Sequence, residues 1–419
     1  MVFAYLAGRQ FASRRAGLIA AALVALNPYR IWYSQEARSY GTLVLLGAIA
    51  LYFFARARND PTRRSLIGWA TASSLALLTH YFAVFFIVPE ALLLLLSLRT
   101  QRRRTAVAVI AVGAVGLALL PVAVIQEGTG RANGFTQFPV AQRAETALVK
   151  YATVEGAAPE GGILSTTPAQ RQIGHLAAAL VGLAVVLVAI RGSPRERLSA
   201  GIAAGVALTA IAAPLILAWG GFDFVDPRNL IGAVVPALVG LAIAFGVRAG
   251  ADLGTLGALG CSVLFVFALH AEATTPALQR HDWRAAAAAL PERPVPSLLV
   301  VPEDGRTPLK YYTGRKLDKF VPKHYAGGVA TRRIVVVSDY LPVRSPDPRF
   351  RLVGTRTAPQ HWTIEVFAAR HPVVVGAGRL AAKQVMPQPS TLLARGRPVL
   401  LAAEQRADAR AAPGRSRSS

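Results

Sequence analysis

The chain has 419 residues, of which 53% are hydrophobic and 16% charged, with a mean hydropathy of +0.41. A water-soluble domain carries about 25% charged residues, so this balance excludes an ordinary soluble protein and points to lipid. The net charge of +24 is spread in short basic clusters between apolar runs, which excludes a nucleic-acid partner and fits the cytoplasmic bias of Arg and Lys beside a bilayer.

A span needs about 20 mostly apolar residues to cross the hydrocarbon layer. In chain order the runs predict spans near 16–29, 40–55, 65–79, 82–98, 105–125, 173–190, 199–219, 229–247 and 253–271, with a partial one at 1–8. The fold class expected is therefore a membrane all-α helical bundle of about ten spans, over residues 1–271. Alternating the spans from a cytoplasmic first loop places fifteen arginines inside: Arg9, Arg14 and Arg15; Arg56, Arg58, Arg63 and Arg64; Arg99 and Arg102 to Arg104; Arg191, Arg195 and Arg197; and Arg248. The short outer connections then hold three, Arg30, Arg38 and Arg228. That asymmetry satisfies the positive-inside rule, and a shift by one span would invert it. The expected location is the plasma membrane, crossed many times.

Two larger pieces fall outside in this topology. One is the Gly-, Pro- and Thr-containing loop between Gln126 and Gln172. The other, residues 272–370, reads as a small extracytoplasmic α/β domain. Its expected elements are a helix at Trp283–Leu290, a strand at Ser297–Val301, a short helix at Leu309–Thr313, a strand at Ile334–Ser338, and a hairpin of Phe350–Thr355 with Trp362–Phe367. The segment 371–419 has eight basic residues against two acidic ones and no sustained period, and it is expected to be a disordered basic tail. Cys261 is the only cysteine, which rules out a disulfide within one chain and a metal site built on cysteines.

Candidate chemistry lies in the outer connections. In Asn27–Gly41, Pro28 ends a span, and Tyr29, Trp32, Tyr33 and Tyr40 suit a membrane–water boundary. Glu36 and Arg38 precede an apolar run, where ionisable residues are functional candidates by default; the plainer reading is a mutual ion pair at a helix start. His80, in Leu78-Thr-His80-Tyr-Phe82, is either a hydrogen-bonding group of the turn or part of a site. Arg228, in Phe222–Leu230, is either a side chain snorkelling to the interface or a planar ligand for a phosphate. Glu127, Arg131 and Asp282 are weaker candidates. The sequence carries no phosphate-binding glycine loop, HExxH or Gly-x-Ser-x-Gly motif, so nothing in it supports chemistry driven by cytoplasmic ATP. If the outer charges converge, the substrate they suit is an anionic lipid arriving sideways from the bilayer.

The runs Pro28…Tyr33-Ser-Gln-Glu36-Ala-Arg38-Ser-Tyr40, Leu77-Leu-Thr-His80-Tyr-Phe and Pro227-Arg228-Asn-Leu…Val235-Pro236-Ala-Leu resemble those of bacterial polyprenol-phosphate-dependent glycosyltransferases of the C-type fold. This is the group related to protein mannosyltransferases and to the aminoarabinose transferase of lipid A. Asp282-Trp283-Arg284 and Leu309-Lys-Tyr-Tyr312 are similar to segments of its actinobacterial members. The resemblance implies transfer of a sugar from a polyprenyl-phosphate donor to a glycan, lipid or protein acceptor of the cell envelope, with membrane lipid around the site. It assigns Arg38, His80 and Arg228 to the donor phosphate, and Tyr33, Gln35, Tyr40 and Tyr81 to the substrate cavity. Glu36 would orient the acceptor or hold a divalent metal. Enzymes of this group carry an acidic base in a long outer loop ahead of the point where Met1 falls, so the expectation is an N-terminal truncation: either the true start lies upstream, or this is a truncated copy whose activity depends on that loop. The rival readings are a transporter or flippase, a polymerase or ligase of surface polysaccharide, and a non-catalytic membrane protein of envelope biogenesis.

Overall fold

The computed structural model describes residues 1–97, 101–127, 139–153, 166–275, 278–280, 282–290, 297–301, 306–313, 319–321, 327–339, 345, 347–358, 362–376, 391–394 and 399–400. They form two compact units, Met1–Leu278 and Gln279–Ser419.

The first unit is helical. Its elements are α1 (Val2–Phe11), α2 (Arg14–Leu26), α3 (Pro28–Ser34), α4 (Tyr40–Asn59), α5 (Arg63–Thr79), α6 (Val84–Ser97), α7 (Arg102–Glu127), α8 (Val140–Ala152), α9 (Pro168–Arg191), α10 (Pro194–Trp219), α11 (Val234–Phe245) and α12 (Ala251–Thr274). Short 3-10 turns at Tyr81–Ala83, Pro227–Ala233 and Arg248–Gly250 lead into α6, α11 and α12. The starts follow from local chemistry. Ser13, Asn27 and Thr62 accept backbone N–H groups as N-caps of α2, α3 and α5. Thr167 with Gln170 and Ser193 with Glu196 form capping boxes at α9 and α10, each followed by a proline at the first helical position.

Six helices are long and apolar enough to cross a membrane: Tyr40–Asn59, Arg102–Ile125, Pro168–Arg191, Pro194–Trp219, Pro227–Phe245 and Arg248–Thr274. The remaining expected spans are helical but shorter. Those near 1–8 and 16–29 are α1 and α2, of 10 and 13 residues, ended by the turn at Ala12 and by the pair Asn27-Pro28. Those near 65–79 and 82–98 are α5 and the helix Tyr81–Ser97, separated where His80 leaves the helical conformation. The surface agrees with immersion in lipid. Only 6% of the spanning window of α7 is buried, and Val107, Ile110, Leu117, Leu120 and Ile125 project from it. Water would not tolerate a helix so apolar and so bare. The unit is that of a multi-pass membrane protein.

Hydrogen bonds tie several arginine-bearing connections together at one end of this unit. Asn59 donates to the Gln10 carbonyl at 2.5 Å and Ser199 to the Phe11 carbonyl at 2.8 Å. Arg15 donates to the Ala251 carbonyl and, at 2.7 Å, to Thr255 Oγ1. Arg191 reaches the Ala249 carbonyl at 3.3 Å, and the Arg248 N–H donates to Glu196 at 3.3 Å. The loops α1–α2, α4–α5, α9–α10 and α11–α12, expected on one side of the membrane from charge alone, therefore meet.

The second unit contains α13 (Trp283–Ala288), α14 (Arg306–Thr313) and strands β1 (Ser297–Val301), β2 (Lys319–Val321), β3 (Gly327–Asp339), β4 (Arg351–Ala358), β5 (Trp362–Gly376), β6 (Thr391–Ala394) and β7 (Val399–Leu400). The sheet runs β2-β6-β1-β3-β5-β4, with β7 also paired to β3. β1 and β3 are parallel, in register Leu299↔Val336, and α14 lies in the crossover between them. β4 and β5 form the expected antiparallel hairpin. Val335, Val337, Trp362 and Ile364 bury one face against Ala286, Ala287 and Leu309, and the rings of Trp283 and Trp362 meet at 4.3 Å. The expectation of disorder from 371 onward needs correcting in part. β5 continues to Gly376 through the β-branched run Val373–Val375, and Thr391–Ala394 and Val399–Leu400 pair within the sheet. Residues 377–390, 395–398 and 401–419 lie outside the described residues.

Candidate functional site

At the end of the helical unit opposite the stitched arginine loops, the side chains of several short connections gather. Asn27 caps α3 by accepting the Arg30 N–H at 2.9 Å, and its amide donates to the Tyr151 carbonyl at 2.8 Å. From there a continuous chain of rings runs around the rim. Tyr151 packs on Tyr29 at 5.4 Å, Tyr29 on Tyr33 at 4.9 Å, and Tyr33 on Tyr40 at 5.0 Å between centroids. The chain continues from Tyr40 to His80 at 5.6 Å, from His80 to Phe82 at 5.2 Å, and from Phe82 to Phe224 at 5.9 Å. Such tilted and edge-on pairs hold aromatic surfaces in fixed mutual orientation. They bring α8, α3, the start of α4, the turn before α6 and the loop before α11 into one constellation.

The charged candidates lie along this chain. Glu36 and Arg38 approach to 4.0 Å, with the Arg38 side chain 58% exposed and that of Glu36 17%. Arg228 is bound by Asp226: its Nε donates to Oδ1 at 3.1 Å and its Nη2 to Oδ2 at 3.0 Å, while Asp226 also accepts the Arg228 N–H at 2.9 Å. Asp226 thus fixes one edge of the Arg228 guanidinium. The Tyr40 hydroxyl is within electrostatic reach of Arg228, Asp226, Arg38 and Glu36, and Arg228 within reach of Tyr33 and Tyr40. The candidates Glu36, Arg38, His80 and Arg228, drawn from three separate connections, surround the ring pair Tyr33–Tyr40.

His80 Nδ1 accepts the Phe82 N–H at 3.3 Å, which in the neutral imidazole assigns the proton to Nε2. Burial pushes its pKa below the ordinary value, so at neutral pH His80 is a hydrogen-bond donor rather than a cation. Gln35 is exposed and Tyr81 half-buried; no ring contact ties Tyr81 to the chain of aromatics as one ties Tyr40. Asp282 belongs to the other unit, where it caps α13 by accepting the Ala285 N–H at 2.9 Å. Arg131 and the side chain of Glu127 lie outside the described residues. Among the described residues no three His, Cys, Asp or Glu side chains gather as a metal site.

Two buried features of this unit were not singled out from the sequence. In the stretch read as a plain outer loop, α8 turns Arg143, Thr146 and Lys150 inward on one face. Arg143, 1% exposed, donates through Nη1 to Asp223 Oδ1 at 2.8 Å and to the Val225 carbonyl at 2.7 Å, and through Nη2 to Asp223 Oδ2. Those bonds hold the Asp223 carboxyl below its usual pKa range. The spacing of 143, 146 and 150, one helical face, was the available signal. The second feature is Glu90, fully buried in α6, which accepts the Trp69 indole N–H at 2.8 Å. An acid inside an apolar run was legible as an anomaly.

Residues 1–125 match the family model described as dolichyl-phosphate-mannose-protein mannosyltransferase. Over that stretch the chain is similar to the protein mannosyltransferases. Tyr33, Glu36, Arg38, Tyr40 and His80 fall inside the mannosyltransferase-matching stretch, whereas Arg143, Asp223 and Arg228 lie beyond it. No curated protein and no solved structure gave a match to the chain.

Proposed function

We propose that this mannosyltransferase-related protein transfers a sugar from a polyprenyl-phosphate donor to an acceptor of the cell envelope, at the outer face of the plasma membrane. The observation that carries the proposal is the gathering of Glu36, Arg38, His80 and Arg228 around Tyr33 and Tyr40 at the rim away from the arginine-rich loops. The positive-inside count assigns that rim to the outside. In such a transfer the bond between the anomeric carbon and the phosphate oxygen breaks while the acceptor oxygen bonds to that carbon, and the proton of the acceptor hydroxyl leaves to the departing phosphate or to water. Negative charge grows on the departing phosphate, and cations already in place stabilise it most where water is scarce. Arg38 and Arg228 supply positive charge, and His80 supplies a neutral N–H. Tyr33 and Tyr40 give the sugar an aromatic wall, and Glu36 orients the acceptor hydroxyl. Asp223 is a poor base because Arg143 stabilises its ionised form.

The test is transfer of radiolabelled mannose from polyprenyl phosphomannose, with membranes containing the full chain. Arg38→Gln and Arg228→Gln should each abolish incorporation while the protein remains folded in the membrane. Undiminished incorporation in either variant would remove that arginine from the donor site.

A further inference from the structure

Arg228 sits in the first turn of the 3-10 element Pro227–Ala233, and the segment that leads into it is fixed from several sides. Within it, Asp223 Oδ1 accepts the Val225 N–H at 3.2 Å and the Asn229 amide donates to the Phe224 carbonyl at 2.9 Å. The long-range anchors come from α8, some 80 residues earlier. The Arg143 guanidinium grips the Asp223 carboxylate with two nitrogens and takes the Val225 carbonyl as well. At the other end of the same helix the Tyr151 hydroxyl donates to the Leu230 carbonyl. The two anchors bracket Asp226 and Arg228 on both sides in sequence. Arg143 is almost wholly buried, so losing Asp223 would take away a counter-charge that lies directly on it. A planar fork on a carboxylate also sets orientation, which an ammonium group cannot do.

We infer that Arg143 is a positioning residue: through Asp223 and Val225, and together with Tyr151 on Leu230, it sets the loop so that Arg228 faces the donor phosphate. The inference rests on the proposed reading of Arg228 and adds to it the element that holds Arg228 at the site. Arg143 itself touches no substrate. A guanidinium displaced by an ångström loses most of its hold on a phosphate oxygen, so weakening α8's grip should cost binding out of proportion to stability.

The experiment uses the full chain in nanodiscs, titrated with a polyprenyl monophosphate. It reads Kd, the phosphorus-31 shift of the bound headgroup, and thermal stability. Arg143→Lys keeps the charge but loses the fork, Asp223→Asn keeps the shape but loses the charge, and Tyr151→Phe removes only the hydroxyl. Each should raise Kd by roughly 10- to 100-fold and move the phosphorus-31 shift toward that of the free lipid. Ala147→Gly, which loosens α8 without touching the loop, should lower the melting temperature and leave Kd and the shift where they were. Arg228→Gln separates the two ideas. If it binds as the parent does, the reading of Arg228 fails. If it loses binding while Asp223→Asn and Tyr151→Phe retain the parental Kd and shift, the role given to Arg143 is wrong and the reading of Arg228 stands. Should Arg143→Lys fail to fold, those two milder variants decide the matter.

Discussion

The contact between Trp69 on α5 and Glu90 on α6 offers a quantitative check on the packing of the helical unit. Both side chains are fully buried, and the indole N–H meets the carboxyl at 2.8 Å. Trp69→Phe removes the donor and leaves a buried acceptor without it; Glu90→Leu does the reverse. Each single change carries the cost of an orphaned polar group, about 1–3 kcal/mol, plus a packing loss. The double variant Trp69→Phe/Glu90→Leu replaces both partners by apolar groups and escapes the orphaning. Interhelical hydrogen bonds in membranes have coupling energies of about 0.6 kcal/mol on average and up to about 1.7 kcal/mol. Complete burial of this pair places it in the upper half of that range. A double-mutant cycle in detergent mixed micelles, unfolded by titration with SDS, should thus show the double variant at least about 1 kcal/mol more stable than the sum of the singles implies. A coupling below about 0.3 kcal/mol would mean that the two groups do not meet in the membrane.

Close approach of backbone predicts a second contrast. A methyl group on Gly254 would collide with the Phe245 carbonyl oxygen, whereas one on Gly201 would meet nothing within 4 Å. Gly254→Ala should therefore destabilise by about 1–3 kcal/mol or more, and Gly201→Ala should leave stability unchanged or raise it by up to about 1 kcal/mol, both read by thermal melting. The Arg143–Asp223 pair predicts a pH dependence. The folded-state pKa of Asp223 is depressed from its ordinary 3.8 by the hydrogen bonds from Arg143. Its stabilisation is therefore complete well above pH 3.8 and is lost as the pH falls through the folded value. The stability deficit of Asp223→Asn should be largest at neutral pH and shrink progressively below about pH 4; a deficit that stays constant to pH 2 would contradict the ion pair.

Much of the architecture was legible because each signal was local and physical. Apolar runs bounded by arginines gave the helices, and Trp283, Val335 to Val337 and Trp362 announced the sheet and its covering helix through alternation and burial. The partial span at 1–8 and the three spans expected near 16–29, 65–79 and 82–98 are short helices, because apolar composition marks a helix without fixing its length, and His80 breaks one run where no proline or glycine signals it. The strands beyond His371 were missed for the opposite reason. Short segments such as Thr391–Ala394 have too few residues for a period, and only their partners in β1 and β2 define them. At the rim, residue types foretold Arg38, His80 and Arg228 as candidates, since polar groups beside apolar runs are conspicuous. Their partners were hidden, because Asp226 and Asp223 acquire meaning only when Arg228 and Arg143 arrive, one from two residues away and the other from 80.

The ring-to-ring contacts from Tyr151 to Phe224 close on themselves, because Asp223 beside Phe224 is held by Arg143 on the helix that bears Tyr151. The rim is thus a hoop with no loose end. A hoop shares strain: pushing one segment outward tugs on the neighbours at both sides, and none can swing aside like a door on a single hinge. On the proposed function, a lipid headgroup entering from the bilayer would have to part the hoop at one joint. The joint with the least to lose is Phe82–Phe224, where two half-buried phenyl rings touch without any hydrogen bond between them.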